Sequence, residues 1–127
     1  MSKKKLTLLF LPLLLAGCTA TFTNLTPKTQ VRNTENLYPV EVQLSSQQQT
    51  MRWDSIKPQI VVGDEFYPMH STALMSNRWE GLVPVPAHAS ETKYHYKFDF
   101  LYNSFGPPRP DSASSPEYVL RIQEAPK

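Results

Sequence analysis

Few side chains in this sequence have the type and spacing to do chemistry. There is one thiol, Cys18, with three imidazoles, His70, His88 and His95, and two indoles, Trp53 and Trp79. A hydroxyl or thiol nucleophile needs a base within hydrogen-bond reach and a third group that orients the base. No Gly-x-Ser-x-Gly elbow, Walker loop or Gly-x-Gly-x-x-Gly turn supplies that setting, and the histidines form no recognisable constellation with Ser or Asp. Metal binding needs ligands that converge. His88 and His95 are seven residues apart with Glu91 between them, across an expected loop-to-strand boundary, so their spacing specifies no site. His95 falls on the polar side of an alternating segment and reads as a solvated residue. The expectation is a protein that is not an enzyme, with no catalytic residues, no metal and no cofactor.

Binding is better provided for. Aromatic faces stack on sugar rings, and Trp53 and Trp79, with Phe66 and Tyr67 nearby in sequence, are candidates for glycan or peptidoglycan stacking. The competing reading puts Trp79 inward, filling the gap between two sheets, because Arg78 and Glu80 flank it as polar neighbours on a strand. A second candidate is Pro107-Pro108-Arg109-Pro110, within a loop expected at residues 104–116. Prolines leave such a segment less entropy to lose on docking, and Arg109 offers a bidentate charged contact to a protein partner. It reads equally well as a stiff connection between strands.

The first seventeen residues have the layout of an export signal. Lys3, Lys4 and Lys5 make a basic start, residues 6–15 an apolar run, and Ala16-Gly17 a small-residue exit. Ten apolar residues are roughly half of the ~20 that a helix needs to cross a bilayer. Leu15-Ala16-Gly17-Cys18 resembles the lipobox of bacterial lipoproteins. The resemblance implies cleavage between Gly17 and Cys18 and lipidation of Cys18 by a thioether-linked diacylglyceryl group. A thiolate is the nucleophile this attachment requires. Each buried methylene adds about 0.8 kcal/mol, so several acyl chains hold a protein far more firmly than one. Thr19 stands where an Asp would retain an enterobacterial lipoprotein in the inner membrane. The resemblance therefore implies the outer membrane, on its periplasmic face, or the outer face of the plasma membrane in a Gram-positive cell.

Removing the signal changes the electrostatics. The whole chain has 13 Lys+Arg against 11 Asp+Glu, and losing the three lysines leaves ten against eleven. A near-neutral domain gives no support to nucleic-acid binding. Lipidation would use the sole cysteine, so no disulfide is expected, and an apolar core must supply the stability.

The elements that position these residues are read from period-two alternation. Tyr38, Val40, Val42 and Leu44 alternate with polar residues, and Tyr94, Tyr96, Phe98, Phe100 and Tyr102 form an aromatic face on residues 93–103. Further strands are expected at residues 20–25, 56–62, 65–71, 78–85 and 117–123, with Pro68 confining its segment to an edge or a bulge. Eleven prolines after residue 17 and no 3.6-residue period leave no room for long helices.

About seven short strands predict a single all-β, antiparallel β-sandwich. The tyrosine-rich penultimate strand and final amphipathic strand resemble the F and G strands of immunoglobulin- or fibronectin-like domains, with a transthyretin-like or jelly-roll arrangement as the alternative. The expected organisation is a signal peptide at 1–17, a lipidated tether with a first strand at 18–36, and the sandwich at 37–127. The expected function is that of a non-catalytic, membrane-anchored envelope lipoprotein acting through a protein partner, with a glycan-binding module as the alternative.

Overall fold

A computed structural model describes residues 20–126. The export signal, the cleavage between Gly17 and Cys18 and the lipidation of Cys18 concern residues outside that range.

The described chain is all-β, with ten strands in two sheets. The first sheet has the order β1-β3-β7-β6, made of β1 (Thr21–Asn24), β3 (Leu37–Ser45), β7 (Arg78–Pro84) and β6 (His70–Ser71). The second has the order β2-β10-β8-β4-β5, made of β2 (Thr29–Val31), β10 (Tyr118–Gln123), β8 (Glu91–Ser104), β4 (Met51–Val62) and β5 (Glu65–Pro68). β9 (Gly106–Ser114) pairs with the far half of β8. Written in immunoglobulin strand letters, this is A-B-E-D facing G-F-C-C′. The expected sandwich is therefore present. It departs from a purely antiparallel one in a single pairing, β2 with β10, which is parallel.

Alternation explains the core. Tyr38, Val40, Val42 and Leu44 of β3 face Tyr94, Tyr96, Phe98 and Phe100 of β8, and all are buried. Trp79 of β7 stands edge-on to Phe98, with centroids 5.0 Å apart, and Phe22 of β1 meets the same ring at 5.1 Å. Gly81 of β7 is also required. A Cβ there would lie 2.8 Å from Ile60 Cδ1 and 3.1 Å from the Pro68 carbonyl oxygen, so the two sheets approach too closely for a side chain.

Three expectations are corrected. Residues 26–36, expected to be tether, belong to the sandwich: β2 pairs with β10, and the Arg32 guanidinium donates to the Ala89 carbonyl at 2.6 Å, the Pro86 carbonyl at 3.1 Å and the Glu124 carboxylate at 3.0 Å. That hydrogen bond to Glu124 is the main cause of the raised Arg32 pKa. Residues 65–71 are two strands in different sheets, because the chain crosses at the buried Met69. The segment from Pro107 to Pro110, expected as a loop, lies within strand β9.

Proline is tolerated in β9 because of hydrogen-bond parity. The Leu101 amide points away from β9, donating to Ser55 Oγ at 2.8 Å on the β4 side, so its partner Pro110 is asked for no ladder bond.

Candidate functional site

Strand register brings one set of loops to one end of the sandwich. Thr21 of β1 opposes Ser45 of β3, Gln43 opposes Arg78 of β7, and Met51 of β4 opposes Tyr102 of β8. That end therefore carries the start of β1, the loops at 46–50 and 72–77, and the β8–β9 turn around Phe105. The two sheets close over it through Trp53 and Trp79, whose rings stack at 6.5 Å with an interplanar angle of 8°. A hollow of about 570 Å³ beside Trp53 is lined by Leu44, Ser45, Ser46, Ser76 and Asn77, which ties the 46–50 and 72–77 loops together.

The β8–β9 hairpin runs out from this end as a ribbon. Eight of the nine residues of β9 are exposed, as are Leu101, Asn103 and Ser104 of β8. At the root of the ribbon, β4 bulges between Arg52 and Lys57. The Ser55 hydroxyl fills the gap, donating to the Arg52 carbonyl at 2.6 Å while accepting from the Leu101 amide. Gly106 takes a φ of 93°, where the chain must reverse within a residue or two.

Two large apolar side chains at this end are fully exposed, Leu74 in the 72–77 loop and Phe105 at the ribbon tip, with Met75 exposed beside Leu74. Leu74 also has a φ of 65°, a left-handed conformation that a γ-branched residue rarely adopts. The 46–50 and 72–77 loops and residues 103–108 contain no charged side chain, and the charges flanking them include Arg52, Arg78 and Arg109. None of these three arginines makes an ion pair among the described residues.

The expected site residues separate accordingly. Pro107, Pro108, Arg109 and Pro110 lie together on the exposed ribbon, with Arg109 opposite Tyr102. Trp53 and Trp79 are brought into contact, yet only Trp53 reaches solvent, at 40% exposure against 5% for Trp79. The inward reading of Trp79 is the one observed, so a sugar platform built from both indoles is corrected to one ring at most. His70 faces Glu80 at 3.3 Å on the exposed side of the first sheet. His88 lies in the 85–90 loop and His95 opposite Val61. Among the described residues, no three His, Cys, Asp or Glu side chains are grouped to hold a metal ion.

Sequence reasoning missed a polar cluster between the sheets. The Tyr96 hydroxyl donates to Asn24 Oδ1 at 2.7 Å, Asn24 Nδ2 donates to the Tyr94 hydroxyl at 2.8 Å, and Thr26 Oγ1 accepts from the Glu41 amide at 2.8 Å. Burial holds the Tyr96 phenol far above its ordinary pKa, and burial raises Tyr118 as well. The sequence signal was Asn24, a polar residue on the inward side of β1 two positions after Phe22. The cluster ties β1 and β3 to β8 and does structural work.

On the outer face of the first sheet, a groove of about 530 Å³ runs past Leu25, Pro27, Pro39 and Leu82, with Glu41 and the His70–Glu80 pair along it. Comparison with protein-family models, with curated proteins and with solved structures found no match.

Proposed function

We propose that the protein is a lipid-anchored component of the bacterial envelope that works by binding rather than by catalysis. Acylated Cys18 is the anchor in this reading, the periplasmic face of the outer membrane its location, and the β8–β9 ribbon its contact with a protein partner. The observation that carries the proposal is the ribbon. β9 is paired on one edge only and is almost wholly exposed, yet its backbone is braced by the β8 ladder and its own prolines. Such a segment loses little entropy on docking. Pro110 has no N–H to offer on the free edge, so recognition falls to side chains, Arg109 first, rather than to addition of a partner strand.

Two experiments test the reading. Deletion of residues 107–110 or Arg109→Ala should abolish cross-linked capture of a defined envelope protein in cells, and undiminished capture would remove the ribbon from the proposal. Cys18→Ser should leave an uncleaved precursor that incorporates no labelled palmitate, and normal processing of that variant would refute the anchor. A glycan reading survives on Trp53 alone, supported by its exposure beside the hollow at Ser46 and Ser76. It requires tryptophan emission to respond to added peptidoglycan fragments and the response to vanish in Trp53→Phe.

A further inference from the structure

We infer that the loop end of the sandwich is seated on the same membrane leaflet that holds the acyl chains, with Leu74, Met75 and Phe105 entering the lipid interface and arginines contacting anionic headgroups. The inference rests on the lipidation part of the reading above and adds the orientation of the domain.

Chain length gives the first argument. Two residues, Thr19 and Ala20, separate Cys18 from Thr21, the first residue of β1, and the three residue steps from Cys18 to Thr21 span at most about 10 Å. The headgroup layer of one leaflet is itself roughly 5–8 Å thick. A sandwich whose first strand starts that close to the anchor has no spacer, because residues 26–36 are consumed by β2 and its connections. The end that carries Thr21 is the end that must face the bilayer.

The composition of the two ends supplies the second argument. The loop end exposes Leu74, Phe105, Met75 and Trp53, the last being the residue type that favours the interface between hydrocarbon and water. Arg52 and Arg78 make no ion pair among the described residues, its three loops hold no acid, and Asp54 is the one acid within two residues of Arg52. The opposite end carries Glu35, Asp64, Glu65, Glu91 and Glu124 around its turns, and its ion pairs, Arg32–Glu124 at 3.0 Å and Arg121–Glu91 at 3.4 Å, are internal. Anionic lipid attracts the first end and repels the second. The strained, fully exposed Leu74 then has a purpose, since its conformation displays the side chain without packing it against anything.

The test uses the full chain, acylated in cells and reconstituted in vesicles of phosphatidylethanolamine and phosphatidylglycerol. Acylation leaves Cys18 without a free thiol, so Leu74→Cys, Phe105→Cys and, at the opposite end, Asp64→Cys can each be labelled with an environment-sensitive dye at one position. Mass spectrometry establishes acylation first. Dyes at 74 and 105 should shift to the blue and be quenched by nitroxide-labelled lipid several-fold more than the dye at 64. Replacing Arg52 and Arg78 by Gln should weaken that difference, by about fivefold in the seated population per arginine at low salt. Equal, weak quenching at all three positions on an acylated chain would overturn the seating and leave the lipoprotein reading intact. A tip shielded from aqueous quencher but not reached by lipid nitroxide would assign the loop end to a protein partner instead. A chain that is not acylated would overturn both.

Discussion

The two ends of the sandwich are built on opposite principles. At the end away from Thr21, backbone and side chains are tied down: Arg32 alone joins the β2–β3 loop, the 85–90 loop and Glu124, and the Asn33 amide donates to the Tyr38 hydroxyl at 3.2 Å. At the loop end, Leu74 and Phe105 are fully exposed, Arg52, Arg78 and Arg109 form no ion pair among the described residues although Arg78 donates to Gln43 Oε1 at 3.3 Å, and one leucine is held in a strained conformation. Interactions that stabilise a fold are made within the chain, whereas groups left unpartnered at a shared surface are available to something else. Substitutions in the body should therefore cost stability and spare surface contacts, and substitutions at the loop end should do the reverse.

The largest effect is expected from Phe98→Ala. Its ring is fully buried and is the common neighbour of Phe22 and Trp79, so its loss opens a cavity that two aromatic rings from the other sheet cannot fill. Urea unfolding should show a loss of about 3–5 kcal/mol. A loss under 1 kcal/mol would mean that the body is as loosely built as the tips, and the contrast between body and end would fail.

Tyr96→Phe comes next, at about 1 kcal/mol, because the 2.7 Å hydrogen bond to Asn24 Oδ1 inside the body is lost and only the longer one from the Thr26 amide, at 3.3 Å, remains. Its pH signature is specific. Burial raises the folded pKa of this phenol above its unfolded value of 10.0, so the folded state holds the proton more tightly. Stability from this group is complete below pH 10 and is lost above it, by up to about 1.4 kcal/mol per pH unit, as the unfolded state releases the proton that the folded state retains. The alkaline limb of the stability curve should flatten in Tyr96→Phe. An identical limb in both proteins would show that another group controls it.

Much of this body is legible in the sequence, and the reason is periodicity. β3 and the first ten residues of β8 alternate without interruption, and Trp79 between Arg78 and Glu80 announces its inward side. Other parts of the molecule are harder to read for three physical reasons. β9 is rich in proline, which normally signals a loop and is admitted to a strand only because its free edge and its non-bonded pairs ask for no N–H. β2 has three residues, too few to show a period, and gains its structure from the parallel neighbour β10. In β4 the bulge between Arg52 and Lys57 shifts the register, and burial does not alternate along the strand, with the neighbours Ile60 and Val61 both buried. The exposure of Leu74 and Phe105 has no sequence signature, since a single apolar residue in a polar loop is as often buried as displayed.

Ser55→Ala probes the boundary between the two regions. Among the described residues, the Ser55 hydroxyl is the one side-chain group that hydrogen-bonds the bulge of β4 to the ribbon, so its loss should cost about 1 kcal/mol. Hydrogen exchange should accelerate at Leu101 and along β9 while Tyr94, Tyr96 and Phe98 keep their protection. Uniform acceleration across β8 would mean that the ribbon and the body open as one unit, and the hairpin could not then be treated as a separate surface.

Leu74→Gly carries the smallest stability effect and the sharpest distinction. A residue at φ 65° with its side chain wholly in solvent contributes no packing, and glycine adopts that φ without strain. Removing the leucine should leave the unfolding free energy unchanged or raise it by up to about 1 kcal/mol, where a leucine serving the core would cost 2 kcal/mol or more. The same substitution should lower the quenching of a dye at position 105 by lipid nitroxides, because one of the groups that holds the loop end at the bilayer has gone. Stability and membrane contact moving in opposite directions would mean that this residue is maintained for its surface contact at the expense of the fold, while a fall in stability would return Leu74 to the body and weaken the case that the end is built for a partner.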